Sequence, residues 1–281
     1  MISSLCFPDS LKSCFACCPP IRPAGYDHLD YKNIVKRILR ENSAVYRPEE
    51  RIIRPVTGFS CWAMGYLDHD FRQPGCLLHP SQNNGDDLRY RIDYGTKCLR
   101  ETCNEAKIFE LLNEDQKNFW LGLTDGLDSF EYSSRRTNIL FNIIGWGEKV
   151  LVSVAERESG NLPGRSHFLK SYPFFSGKFS PNGHAYLITY IVSEIGSEVL
   201  KDPEFEKSFQ SFSRRLINEI KEQFDMGTGP VHVHKMDIGR LFADFLRISL
   251  QLKRSEISTV KKITEFTDNR LEIFCRGLLN E

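Results

Sequence analysis

An excess of charge of either sign is missing from this sequence. Its 281 residues carry 37 Lys plus Arg against 37 Asp plus Glu, a formal net charge of zero. A balanced chain has no global field to draw it onto nucleic acid or an anionic membrane, so neither is expected as a partner. Long apolar runs are missing too, and nothing approaches the ~20 residues that a membrane span requires. The opening MISSLCFPDSLKS has no basic flank followed by an apolar core, so it reads as a poor secretory signal and a cytoplasmic location is expected. There is no Walker loop, no G-x-G-x-x-G after a strand, no G-x-S-x-G and no H-E-x-x-H. That removes the familiar sequence arguments for nucleotide binding, serine hydrolysis or zinc-protease chemistry. No internal repeat or low-complexity tract is present.

What remains is an ordinary globular composition, 41% hydrophobic and 26% charged, with an uneven distribution of thiols. Of nine cysteines, Cys6, Cys14, Cys17, Cys18, Cys61, Cys76, Cys98 and Cys103 fall in the first 103 residues and only Cys275 lies beyond. In a reducing compartment disulfides are disfavoured, so a local concentration of thiols points toward metal ligation.

The spacings carry the argument. SCFACC sets Cys14, Cys17 and Cys18 in a C-x2-C-C pattern; Cys61 follows; Cys76 and His79 form C-x2-H; Cys98 and Cys103 form C-x4-C. A C-x2-C pair lets two thiolates converge on one ion across a tight turn, as in zinc knuckles and iron–sulfur loops. A C-x4-C pair bridges one helical turn. Adjacent Cys17 and Cys18 point apart in extended chain, so one of them faces a second site or the core. Seven of these cysteines plus His79 make eight candidate ligands, enough for two four-coordinate sites or for one site with spectators. His79 alone, in His-Pro after an apolar pair, could equally cap a strand. A catalytic thiol is disfavoured, because such chemistry needs one or two cysteines rather than eight.

The run CFACC, followed by CWAMGYLD, GCLLHP and the arginine of DDLR, resembles the zinc- or iron-chelating CxxxCxxCC cysteine-cluster family over the first third of the chain. On that resemblance Cys14, Cys17 and Cys18 correspond to the later cysteines of the family's cluster, and Cys61, Cys76 and Cys98 to its downstream ones. Cys6 lies too far from Cys14 for the family's opening spacing, and the downstream Arg-Pro is absent. The resemblance implies metal binding and no particular reaction.

Around these residues, 31–42 predict a short amphipathic helix with Ile34, Val35, Ile38 and Leu39 on one face. RPVTGFSCWAMGYLD and GCLLHP predict two short strands separated by a turn. From residue 105 the texture is helical. Residues 104–123 have helical apolar spacing, and TNILFNIIGWGEKVLVSVAE reads as a buried helix. Residues 158–186 read as a long surface loop packed by its own aromatics, carrying Arg165, Lys170 and Lys178. Asp202–Pro203 opens another helix, a further one runs through Ile238–Leu252, and Ser255 caps the last, on whose buried stripe Cys275 sits. His232 and His234 form an H-x-H pair that reads as two exposed loop histidines. Asp68, Asp70, Asp86, Asp87 and Asp93 read as turn and cap residues.

The expectation is thus a mainly α protein. A cysteine-rich metal-binding region, 1–104, has short strands and irregular loops packed on a helical domain, 105–281. The metal is expected to be structural, with zinc favoured because a mixed His and Cys set suits it and an iron–sulfur cluster as the alternative. The bundle would offer a surface to a protein partner.

Overall fold

The computed structural model describes residues 4–18, 25–50, 52–57, 60–93, 98, 103–158, 164–177, 179–224, 226 and 229–280. Among the described residues the architecture is mainly helical, with three two-stranded sheets of two or three residues per strand. The chain divides into two compact units, Met1–Phe141 and Asn142–Glu281, so residues 105–141 group with the cysteine-bearing segment. Among the described residues no helix is long and apolar enough to cross a membrane.

In the first unit, α1 (Lys32–Val45) buries Val35 and Leu39, while Ile34 on the expected apolar face is 49% exposed. α1 packs on a hairpin of β2 (Met64–Tyr66) and β3 (Pro74–Cys76), each shorter than the strands expected over 54–68 and 75–80. Gly65 stands opposite Gly75 in this ladder. A Cβ at Gly65 would sit 2.6 Å from Ser43 Oγ and 2.8 Å from Leu77 Cδ1, so only glycine lets the helix approach this closely. Side chains of α1 then satisfy the hairpin's backbone. The Tyr66 amide donates to Ser43 Oγ (2.6 Å), Asn42 Nδ2 donates to the carbonyls of Cys61 (3.2 Å) and Met64 (2.8 Å), and Tyr46 Oη donates to that of Leu77 (3.1 Å). A parallel bridge joins β1 (Arg54–Pro55) to β4 (Ile92–Asp93). Residues 58 and 59, inside the first predicted strand, lie outside the described residues.

Residues 4–18 form no helix or strand, so their amides need other partners. The short helix Ser129–Ser133 supplies them. Ser129 and Ser133, one turn apart on one face, accept from the amides of Ser13 and Phe15 (3.0 Å each), and Tyr132 Oη donates to the Leu5 carbonyl (2.9 Å). Ser13 Oγ donates to the Pro74 carbonyl (2.6 Å). Phe15 enters the core beside Phe130 (5.1 Å between ring centroids), with Val35, Leu39, Met64, Tyr66, Leu78 and Ile92.

The helical spacing over 104–123 resolves into two helices, α2 (Asn104–Phe109) and α3 (Glu114–Gly122), because Asn113 and Gln116 form a reciprocal capping box at the second start. After these come α4 (Ser129–Ser133) and α5 (Ile139–Ile144). The single buried helix expected over 137–156 is two helices. Gly147, at φ 103°, ends α5's run and starts α6 (Glu148–Arg157), a conformation open to glycine and strained for other residues.

The second unit continues with α7 (Arg165–Ser171), α8 (Ala185–Ile195), α9 (Phe205–Gln223), α10 (Arg240–Asp244) running into a π-helical turn (Phe245–Ser249), and α11 (Ile257–Leu279). α8 packs on α6 and α11, and α9 on α11, where Phe212 and Phe274 stack at 4.2 Å and 10°. The expected long loop over 158–186 therefore contains a helix and a 3-10 turn, Pro173–Ser176. Phe168, Tyr172, Phe174 and Phe175 are buried there, so its aromatics build core rather than cover a surface. Lys178 lies outside the described residues. Asp202 accepts from the Glu204 amide and a turn precedes α9, so Pro203 is not the first helical residue. Ser255 pairs with Val231 in a strand, and Glu256 holds the cap position of α11. Cys275 is buried on α11 as expected.

A candidate thiol centre in the N-terminal unit

None of the nine cysteines is in a disulfide. Eight of them, all but Cys275, belong to the first unit. The structure sorts those eight into two neighbourhoods. Cys61 is part of the apolar core under α1, and Cys18, Cys76 and Cys98 pack against that core.

Electrostatics links neighbouring thiols to one another. Burial first, with the neighbouring Cys17 and Cys103 adding to it, pushes the Cys6 thiol up to about 12. Burial raises Cys14 well above the usual thiol range, with Cys17, Cys6 and Cys103 adding to it. Cys103 is raised by burial and again by Cys17. Every pair within Cys6, Cys14, Cys17 and Cys103 is therefore close enough for a charge on one sulfur to be felt by the other. In the second group Cys18 is raised first by a hydrogen bond with Cys17, then by burial and by Cys76 and Cys61. Burial lifts Cys76 to about 12 and Cys61 to about 11, with Cys61 acting on Cys76 and Cys98 on Cys61. Cys17 acts on members of both groups. The adjacent pair Cys17–Cys18 is thus the seam, and its sulfurs meet rather than point apart.

Local backbone geometry aims donors at these sulfurs. The Ala16 amide donates to Cys14 Sγ and the Ala106 amide to Cys103 Sγ, both at 3.4 Å. The amides of Ala63 and Met64 work against the rise of the Cys61 thiol, and that of Leu78 against the rise of Cys76. Each is a turn or helix start in which the thiol does the work of a capping oxygen; Cys103 is the N-cap of α2. Such N–H···S contacts favour the thiolate, which is the form that ligates metal.

Each group also has an arginine. Arg89 stands beside Cys76 and Cys98, donates from Nη1 to the Cys98 carbonyl (2.9 Å) and pairs with Asp87 at 2.7 Å. Arg135 stands beside Cys103 and Cys14 and pairs with Glu105.

Cys6, which its spacing set apart from the ligand set, is brought in by the fold. The Cys14 amide donates to the Cys6 carbonyl (2.8 Å), closing the intervening residues into a loop. Inside it Asp9 accepts from the amides of Leu11 (2.7 Å) and Lys12 (2.9 Å) and pairs with Lys12 Nζ at 2.7 Å. The Asp9 turn was the only sequence signal available.

His79 stands differently. Its Nδ1 accepts from the Ser81 amide (3.2 Å) and lies 2.7 Å from Ser81 Oγ, so the ring caps the short 3-10 helix Pro80–Gln82. Burial lowers its pKa, with Arg89 lowering it further and Asp87 opposing. The exposed His232 and His234 have ring centroids 5.3 Å apart. Asp68 accepts from the amides of Arg72 and Gln73, and Asp87 from that of Arg89, as turn residues do.

Among the described residues, no group of three or more His, Cys, Asp or Glu side chains is drawn in closely enough to hold a metal ion. The thiols are neighbours without converging on a point. No family model, curated protein or solved structure matches the chain. The likeness to the CxxxCxxCC family therefore rests on the cysteine pattern alone.

Proposed function

We propose that the N-terminal region binds metal through its cysteines and that the metal's role is structural, with zinc as the ion. The ligand candidates are Cys14, Cys17, Cys18, Cys61, Cys76, Cys98 and Cys103, with His79 as the nitrogen donor the sequence suggests. One observation carries the reading: eight unbridged thiols gather in one unit, and backbone amides already point at the sulfurs of Cys14 and Cys103. Left to themselves, buried thiols that repel one another's charge stay protonated; a divalent cation supplies the countercharge that lets them ionise. Residues 4–18 are held to the rest of the unit by single hydrogen bonds, so ligation would add order there. A reducing, cytoplasmic setting suits thiol ligands, and the helical unit would present a surface to a protein partner.

A second reading, an iron–sulfur redox protein, draws on a specific observation. With His79 occupied as a cap and Cys6 beside Cys14, the gathered donors are all sulfur, and four-thiolate sets serve zinc and iron–sulfur clusters alike.

Elemental analysis of freshly, anaerobically purified protein tests both. Colourless protein with stoichiometric zinc supports the first reading, and broad visible absorption with acid-labile sulfide supports the second. Cys14→Ser and Cys76→Ser should each lose metal and lower the melting temperature. Full metal content and full stability in both variants would sink the metal reading.

A further inference from the structure

We propose that the groove between α9 and α11 binds a small aliphatic monocarboxylate, its head held by Arg215 and Arg270 and its chain lying toward Gly277 and Leu278. The site belongs to the second unit and is independent of the thiols.

Each helix contributes one stripe. Ser208, Phe212, Arg215 and Glu219 recur at three- and four-residue steps along α9, and Arg270, Phe274, Gly277 and Leu278 do the same along α11. Phe212 stacks on Phe274, and Arg270 Nε lies 2.9 Å from Glu219 Oε2, so the helices run antiparallel. Arg215 and Glu219 therefore stand at the Arg270 end of the groove, and Ser208 at the Leu278 end. Between the stripes is a cavity of about 520 Å³, a volume that suits a small molecule.

Charge selects the head. The lining carries two arginines against one carboxylate, Glu219. Arg215 is exposed and makes no ion pair with another described residue. Arg270 Nε is shut off from solvent and makes no hydrogen bond, so Glu219 neutralises that guanidinium without saturating its donors. A single carboxylate completes the balance and matches the fork of a guanidinium, whereas a dianion would set its second charge against Glu219.

Shape selects the tail. Phe212 and Phe274 lie 4.2 Å apart at 10°, so each covers the other's face and no flat ring can slide between them. A slim chain can lie along their edges and over Leu216, beside Ile273, an apolar wall left 52% exposed. Gly277 is the sharpest sign that the far end is kept open. It sits within α11, its backbone is not left-handed, and a Cβ there would meet nothing within 4 Å. Neither conformation nor any neighbour demands glycine, at a place where alanine would favour the helix. From Arg270 to Leu278 the helix advances roughly 12 Å, a span that a medium-length alkyl chain fills.

Isothermal titration calorimetry of the full-length chain with sodium decanoate, below its micelle concentration, tests the site. Decanoate should bind at one equivalent. Acetate, a head without a chain, and decyltrimethylammonium, the chain with the opposite charge, should give no measurable binding. Arg215→Gln should weaken decanoate roughly tenfold, the loss of one charge-assisted contact. Gly277→Leu should abolish binding while the melting temperature holds or rises; if that variant melts lower, Arg215→Gln decides alone. The proposal is overturned if decanoate does not bind, if the cation binds as well, or if Arg215→Gln keeps full affinity. Self-association of the wild type in sedimentation that Gly277→Leu abolishes would give the groove to a second copy of the chain and overturn it too.

Discussion

The second unit and the cysteine-bearing stretch of the first reach order by different means. The second, Asn142–Glu281, is filled with aromatic rings. Trp146 lies 5.1 Å from Phe174, Phe174 lies 5.5 Å from Phe205, and Phe205 lies 5.9 Å from Phe209. In the cysteine-bearing part of the first, the core under α1 is a small set in which Ala63, Cys61 and Val35 stand beside three aromatics, Phe15, Tyr66 and Phe130. Around it, serine hydroxyls and an asparagine amide carry backbone hydrogen bonds that a helix or sheet would otherwise provide. Burial of large rings is stable by itself; a web of single hydrogen bonds contributes about 1 kcal/mol each and invites a further crosslink. The comparison teaches where a bound ion would matter.

The sharpest way to break this contrast is to damage the aromatic core. Phe209 is fully buried between Phe174, Phe179 and Phe205, so Phe209→Ala should cost about 3–5 kcal/mol by denaturant unfolding, equally with and without a metal chelator. A chelator-dependent loss would show that the second unit is not self-sufficient. Gly65→Ala should cost roughly 1–3 kcal/mol, since the new methyl meets Ser43 Oγ and Leu77 Cδ1. Its melting temperature should fall further after chelation, because the Cys61 and Cys76 turns flank the same hairpin; an unchanged melting curve would show that α1 has room to retreat. The smallest effect concerns acid. Burial works to raise the Asp128 carboxyl, but the Lys32 ion pair at 2.5 Å and the amides of Glu131 and Phe130 outweigh it and hold it below the ordinary carboxylate range. A depressed carboxylate stabilises above its unfolded pKa and loses that contribution as pH falls through its folded one. Asp128 is half exposed, so solvent screens the pair and Asp128→Asn should cost only a few tenths of a kcal/mol at neutral pH. The gap between variant and wild type should vanish in acid; a constant gap would place the effect in the helix cap instead.

Elements whose cause is local could be read from the sequence. The helix at Lys32–Val45 follows from its apolar stripe, the hairpin from its alternation and turn, and Cys275 from its place on the last helical face. The break at Gly147 could not, because Gly145 and Gly147 inside an apolar run are compatible with tight helix packing as much as with a chain reversal. The aromatics of 164–177 looked like a loop because Gly and Pro flank them, while their burial depends on partners far along the chain such as Phe205. At the site, the concentration of thiols was legible, and their sorting was not. Cys6 joins Cys14 through one backbone hydrogen bond that spacing cannot encode, and His79 is engaged by Ser81 two residues on, a contact that C-x2-H spacing gives no reason to expect.

The junction at Cys17–Cys18 has a consequence for what this region tolerates over time. Neighbouring residues that belong to different surroundings have no slack between them, one exposed and the other set against the core. A single-residue insertion there would throw every sulfur on one side out of phase, whereas the loop between Cys6 and Cys14 could lengthen or shorten freely while its closing bond survives. Length variation among descendants of this sequence should therefore collect before Cys14 and be purged between positions 17 and 18.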